Sequence, residues 1–295
     1  MLKIQGILPP VTTPFDHRGE IYKAKLTANI ERLNSVKLTG YVVGAATGEG
    51  VLMTADEKLM VWDLAAQAAK PGKLLGAGSS AESVRETVSL TNKASEAGYH
   101  FAVVQAPRSY RHVLGTEEAQ VLYFRAVADQ TKIPVVVENS PETAGFDISA
   151  EAVARLSEHP NIAGLAEGAA DMAKVGRMLR EVKRGFQILN GNAELLFPAL
   201  QAGCSGGILA FANAAPYSTQ LIWEAFRTRE EEAGLDWQNR IGPAAHLVTT
   251  KYGIPGLKWA MELNSYYGGT PRLPLLPISL EVKQEIAAAF AEIRS

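Results

Sequence analysis

Short, continuous apolar runs alternate along this chain with longer stretches in which apolar residues recur every three or four positions. The runs are GILPPV (6–11), GYVVG (40–44), KLLGAG (73–78), FAVVQ (101–105), PVVVE (134–138), IAGLA (162–166), FQILN (186–190) and GGILA (206–210), eight in all. A run without polar alternation predicts a strand buried on both faces, as in a parallel sheet. Between the runs, KLTANIERL places Leu26, Ile30 and Leu33 on one face at helical spacing. Thr54 with Glu57 and Ser79 with Glu82 have the spacing of capping boxes and predict helix starts directly after the second and third runs. Strand then helix, repeated through all eight runs, predicts an α/β protein built as a (β/α)8 TIM barrel; a doubly wound sheet of this length usually has fewer strands.

Beyond the eighth run, helical patterns over roughly 216–228, 230–250 and 255–264 and from 279 onward exceed what one barrel helix requires. YYGGTPRLPLLP (266–277) reads as a proline-rich connector among them. No Gly/Ser-rich linker or charge block separates these segments from the barrel. The expected organisation is a barrel core over 1–215, with 216–295 supplying the last barrel helix and a C-terminal helical extension packed with it as one unit.

Composition narrows the partners. A chain of 295 residues that is 47% hydrophobic buries a large core, and its net charge of -2 without any Lys/Arg-rich run argues against nucleic acid or an anionic membrane surface as the main partner. Small molecules and other proteins remain. No stretch has the uninterrupted apolar length of a membrane span. Cys204 is the single cysteine and MLKIQGILPPVTTPF lacks a signal-peptide core, so the expected home is the reducing cytoplasm.

In a barrel of this kind the chemistry sits at the C-terminal strand ends and the loops that follow. Those loops are GAATGEG (44–50), APRSYRH (106–112), ENSPETAG (138–145), Ala166-Glu167-Gly168, NGNAE (190–194) and AFAN (210–213). The glycine-rich loop lacks the Gly-Lys-Ser/Thr ending of a nucleotide P-loop, and its use is to offer backbone N–H groups to an anion, which suits a carboxylate. Thr47, Arg108, Tyr110, Arg111, Glu138, Asn139, Glu167, Asn190 and Asn192 are the polar residues that this layout brings toward one mouth. Arg108 reads two ways: as a clamp on a ligand carboxylate, or as the ion-pair partner of Glu138. Glu138 is the acid/base candidate if burial raises its pKa, and Glu49 reads as turn-holding. Glu138 and Glu167 on adjacent strands form a conceivable metal pair, but the histidines are scattered and only His112 lies near a mouth loop, so neither a metal nor another cofactor is expected.

At these loops the chain resembles a known family. PPVTTPF (9–15), ATGEG (46–50), ENSPETAG, HPNIAGLAEG, NGNAELLFPALQAGCSGGI and YGIPGLKWAMELNSYYGG together are similar to the dihydrodipicolinate synthase and N-acetylneuraminate lyase superfamily of class I aldolases, from about residue 6 to 277. The C-terminal part looks most like the 4-hydroxy-2-oxoglutarate aldolase branch. The resemblance implies a lysine at the end of the sixth strand that forms a Schiff base with a 2-keto acid, and a tyrosine at the end of the fifth that shuttles the proton. The lysine position falls on Ala166, whose methyl has no lone pair with which to attack a carbonyl, and the tyrosine position falls on Glu138. The fourth-loop aromatic falls on Ser109 or, shifted by one, Tyr110; the first hydroxyl of the glycine-rich loop falls on Ala46, with Thr47 kept.

The expectation is therefore a family member that has lost class I Schiff-base chemistry. Lys174 lies eight positions beyond Ala166 and would have to bend back through the mouth to substitute, while Lys132, Lys183 and Lys258 have surface roles as their default. Glu138 and Tyr110 are the candidate catalytic residues, and Thr47, Gly48, Arg108, Asn139, Gly191 and Ile208 the candidate substrate contacts. Three functional readings stand: a lyase-family protein that still binds a 2-keto acid or related small carboxylate, an enzyme of altered chemistry using Glu138 and Tyr110, and a non-catalytic binding or regulatory protein. The resemblance further implies a homotetramer, a dimer of dimers, with RSYRH (108–112) near the tight-dimer contact.

Overall fold

The strand segments of the chain are β1 (Gly6–Leu8), β2 (Pro10–Val11), β3 (Gly40–Val43), β4 (Leu74–Gly78), β5 (Phe101–Gln105), β6 (Val135–Asn139), β7 (Ile162–Glu167), β8 (Gln187–Asn190) and β9 (Gly206–Ile208). They form one parallel sheet in the order β1-β9-β8-β7-β6-β5-β4-β3-β2 in a computed structural model that describes residues 2–293, Thr143 by its backbone alone. All eight predicted runs are strands, and the first is split. Pro9 interrupts it because proline has no N–H for the ladder, so β1 pairs with β9 through Gly6↔Gly206 while β2 pairs with β3 through Pro10↔Val42. The two halves belong to one strand that joins the last to the second and closes the barrel; the Val42 N–H bonds Pro9 O at 3.0 Å across the break.

Period-two alternation sorts each strand's side chains. Leu8, Val42, Phe101, Val103, Val136, Ala166, Leu189 and Ile208 fill the lumen, whereas Val104, Val135, Val137, Ile162 and Leu165 face the helices. Those helices are α1 (Lys23–Leu33), α2 (Ala55–Ala68), α3 (Val84–Glu96), α4 (Arg111–Leu114), α5 (Glu117–Ala128), α6 (Pro141–Ala144), α7 (Ala150–Ser157), α8 (Met172–Glu181), α9 (Leu196–Ala202) and α10 (Pro216–Thr228). Leu26, Ile30 and Leu33 are the buried face of α1, as their spacing predicts.

The predicted capping box at Thr54 forms: its N–H donates to Glu57 Oε2 at 2.8 Å and its Oγ1 accepts from the Glu57 N–H at 3.2 Å. The second predicted box does not. Helix α3 starts four residues later, capped by Ser83 Oγ on the Glu86 N–H at 3.1 Å, because Ser79 is buried against Thr91 Oγ1 at 2.7 Å and Glu82 reaches to another loop.

After α10 come α11 (Glu231–Ala245), a π-helical turn (His246–Lys251), α12 (Gly253–Leu263) and α13 (Leu280–Ala289). Phe290, just past α13, packs on Phe211 of the loop after β9 with ring centroids 5.7 Å apart. Met1 and Ser295, the outer limits of the expected domain division, and Arg294 lie outside the described residues. Among the described residues no helix is long and apolar enough to cross a membrane. Lys258 on α12 corrects the surface role expected of it: it is 1% exposed and ion-paired with the equally buried Glu49.

Candidate functional site: an acid, an amide and a guanidinium at the barrel mouth

The strand ends place three side chains in a row. Glu138 on β6 is in register with Gln105 on β5 and with Ala166 on β7. Gln105 and Glu138 follow Val103 and Val136 by two residues, so both face the lumen beside Ala166. The half-buried Arg108, from the loop after β5, donates through Nη2 to Gln105 Oε1 at 2.6 Å, and Gln105, the register partner of Glu138, pulls that carboxyl down. Among the described residues no ion pair joins Arg108 to Glu138 directly; Gln105 stands between them.

Burial pushes the Glu138 carboxyl up to about 7, against the opposing pull of Arg108 and the Gln105 hydrogen bond. Some water reaches this half-buried group through the mouth, and the apolar lumen beneath it supplies the desolvation. At neutral pH such a carboxyl is poised to give or to take a proton.

Beside this row lies a cavity of about 270 Å³ between the loops after β3, β4 and β5, whose wall includes Gln105, Arg108, Lys58, Glu82 and Glu86. Lys58, 6% exposed, donates from Nζ to Ser80 O at 3.2 Å. Burial lowers its pKa, with Glu86 opposing. Glu82 is occupied: its carboxylate accepts the Ser109 N–H at 2.8 Å and the Arg108 N–H at 3.2 Å, which holds the arginine loop against α3. Gly50 belongs to the same wall, where a side chain has no room: a Cβ there would sit 1.9 Å from Gly44 O.

The glycine-rich loop is anchored from below. Thr13 Oγ1 donates to Gly48 O at 2.7 Å, and Glu49, in the left-handed region at φ 59°, turns its carboxylate inward onto Lys258 and the Arg272 N–H, the latter at 2.7 Å. The Phe15 ring meets both cations, its centroid 4.7 Å from Lys258 Nζ and 4.3 Å from the Arg272 guanidinium. The turn-holding role expected of Glu49 thus reaches the C-terminal connector. Thr47 is left half-buried at the loop's tip.

Other candidates fall elsewhere. Asn139 and Glu167 alternate to the helix side of β6 and β7, where Asn139 Nδ2 bonds Asp147 Oδ1 at 2.7 Å and Glu167 Oε1 at 2.9 Å. Lys174 does bend back to this strand end, pairing with Glu167 at 3.0 Å and Asp147 at 2.5 Å, but on the face opposite the Ala166 methyl. Burial raises the Glu167 carboxyl while Lys174 opposes. Tyr110 is 75% exposed with φ 58°, and Arg111 packs on Gly145, whose missing Cβ would lie 2.8 Å from its Nη1. Gly191 donates its N–H to Glu167 O at 2.6 Å, and Ile208 is a lumen residue with Ala166. Cys204 is buried, its thiol pushed up to about 12 by burial and by Glu167. Among the described residues no group of three or more His, Cys, Asp or Glu is placed to hold a metal ion.

Gln105 and Lys58 are the site residues that motif reading missed. Gln105 was within reach, since it is the one polar residue at a lumen-facing register of FAVVQ. Lys58 carries no signal on an amphipathic helix.

Such strand ends and loops are the mouth of a (β/α)8 barrel. Comparisons with known proteins carry this further. A sequence profile of the dihydrodipicolinate synthetase family matches residues 3–293, and the chain belongs to that family. The 4-hydroxy-tetrahydrodipicolinate synthase of Methanococcoides burtonii is 30% identical over 290 residues, 98% of each chain. That of Exiguobacterium sp. is 28% identical over 292 residues, covering 98% of this chain and 99% of its own. Among solved structures, a dihydrodipicolinate synthase of Bacillus anthracis covers the whole of both chains with a TM-score of 0.94 at 25% identity. YagE, a prophage protein of the dihydrodipicolinic acid synthase family from E. coli K12 solved in complex with pyruvate, has a TM-score of 0.91 at 24% identity over 98% of each chain.

Proposed function

We propose that this protein binds a 2-keto acid or related small carboxylate at the barrel mouth without forming a Schiff base there. The observation that carries the reading is Ala166: the residue at the end of β7 that faces the lumen, in register with Glu138, ends in a methyl group. Formation of an imine needs a primary amine with a free lone pair at that point, and the nearest lysine along the chain, Lys174, is bound to two carboxylates on the other side of the strand. Arg108 and the N–H groups of the Thr47–Gly48 loop are the carboxylate-binding groups in this reading, and YagE's complex with pyruvate makes pyruvate the first probe. The ligand is held by charge and hydrogen bonds alone, and no metal or other cofactor is part of the reading.

A second reading is favoured by one observation, the Glu138 carboxyl pushed up to about 7. A group of that pKa serves as acid and base in a dehydration or enolisation. Tyr110 joins it only by moving from its exposed position or by meeting a second subunit. The assembly in this proposal is a homotetramer in the cytoplasm, and light scattering that gives a monomer at micromolar concentration refutes that part. The functional reading is tested by incubating the protein with pyruvate and borohydride. No mass increase is expected, whereas a stoichiometric reduced adduct on any lysine overturns it. Turnover of pyruvate-derived aldols that Glu138→Gln abolishes selects the second reading; saturable binding without turnover selects the first. The Ala166→Lys variant is expected to remain a poor aldolase, because Glu138 and Ser109 still stand where the proton relay would be.

A further inference from the structure

Gln105 occupies the last lumen-facing position of β5, 3% exposed, its N–H fixed on Ser80 Oγ at 2.9 Å. A side-chain amide has one acceptor end and one donor end. Here the acceptor end takes a guanidinium N–H from Arg108 at 2.6 Å, so the donor end turns to the register partner, Glu138. A cation at one end and a carboxylate at the other leave the amide one orientation. We infer that Gln105 is the positioning residue of the mouth, and that through its amide the capture of a ligand carboxylate by Arg108 is coupled to protonation of Glu138. This inference rests on the carboxylate-binding reading of Arg108.

The coupling follows from the bonds each state permits. While Arg108 holds Oε1, the amide nitrogen is committed to donate, and donation favours the ionised form of Glu138. A ligand carboxylate that draws the guanidinium into the adjoining cavity releases Oε1. The amide then turns over and accepts from Glu138, which does so only as the neutral acid. One negative charge enters the mouth and one proton follows it from solvent, so no net charge is buried.

The other charged groups around the carboxyl do not supply this switch. Lys58 on α2, Glu82 just before α3 and Glu86 on α3 line the cavity wall, but of the charged groups it is Arg108 that pulls on the Glu138 carboxyl. On β7 the neighbour is Ala166, while Glu167 and Lys174 lie on the opposite face of that strand. After β5, Arg111 at the start of α4 packs against Gly145, and after β6 Glu142 on α6 is exposed.

The test is a carbon-13 NMR titration of glutamate-labelled protein, with the Glu138 resonance assigned by its disappearance in Glu138→Gln. It is run on the unaltered chain, Gln105→Met, Arg108→Ala and the double variant. Gln105→Met is expected to raise the Glu138 midpoint by about one pH unit, since it keeps the volume and removes the donor. Arg108→Ala is expected to raise it too, and by less than half as much once Gln105 is gone; equal shifts in the two backgrounds overturn the coupling. Gln105→Asn, an amide too short to span both partners, is the second variant and is expected to follow Gln105→Met; a midpoint unchanged from the unaltered chain overturns the inference. Calorimetry with pyruvate at pH 7.5 in buffers of different ionisation enthalpy then reads the ligand step. Proton uptake on binding is expected in the unaltered chain and lost in Gln105→Met, and undiminished uptake in that variant overturns the proposal. If pyruvate does not bind at all, the carboxylate reading of Arg108 fails by itself, and with it the ligand step, while the titration cycle still decides whether Gln105 couples Arg108 to Glu138.

Discussion

Replacing Lys258 by methionine separates the anchoring of the mouth loop from its chemistry. Lys258 and Glu49 are each 1% exposed, and their ion pair ties α12 to the glycine-rich loop. Methionine keeps most of the stem that packs on Phe15 but leaves the Glu49 carboxylate with the Arg272 N–H, at 2.7 Å, in place of an ammonium. Truncating one partner of a buried pair typically costs about 3–5 kcal/mol, most of it the stranded charge. Some of that is recovered here because the Arg272 N–H still points at the carboxylate, so a loss of about 3 kcal/mol is expected in urea unfolding, with an unfolding slope unchanged from the unaltered chain. Adding Glu49→Gln removes the stranded charge, and the double variant is expected to be more stable than Lys258→Met alone by about 1–2 kcal/mol. Amide hydrogen exchange gives a local reading: the N–H groups of Glu49 and Gly50, bonded to Ala46 O and Ala45 O at 2.9 and 3.0 Å, are expected to lose protection more than those of the central strands. A Lys258→Met protein within about 1 kcal/mol of the unaltered chain would refute the reasoning, because it would mean that burying these two charges is nearly neutral even when one stands alone.

Two further changes test the mouth itself. The Glu138 carboxyl is raised from an ordinary 4.5 to about 7, so the unfolded chain releases this proton first and stability falls as pH rises through that window. Discounted for partial contact with water, the fall is on the order of 1–3 kcal/mol, and Glu138→Gln is expected to flatten it; urea midpoints at pH 5 and 7.5 with the same pH dependence in both proteins would count against the assignment. Arg108→Ala removes one charge-assisted hydrogen bond to Gln105, not the partner of a buried carboxylate, so the unliganded protein is expected to lose about 1–2 kcal/mol while stabilisation by pyruvate disappears. A loss of 3–5 kcal/mol without ligand would instead mark Arg108 as a partner that Glu138 cannot spare.

The barrel was legible in the chain because its evidence is local. Continuous apolar runs such as PVVVE and FAVVQ must be buried on both faces, and helices whose apolar residues recur at three and four positions must cover them. Thr54 and Glu57 likewise announced a helix start, since both partners of a capping box lie within one turn. The alanine at the end of β7 and the acid at the end of β6 could be read by counting along the strands. What each polar side chain meets depends on residues far away in the chain, and there tertiary structure decided. Glu49 and Lys258 are separated by most of the sequence, and only the return of the C-terminal connector beneath the mouth makes them a buried pair. Asn139 and Glu167 looked like mouth residues beside Glu138 and Ala166, yet one step along a strand reverses the face, and both serve the helix layer with Lys174. Arg108 and Glu138 carried the charges that suggested a direct pair. Parallel registry set Gln105 opposite Glu138, and a neutral amide became the group through which those charges meet.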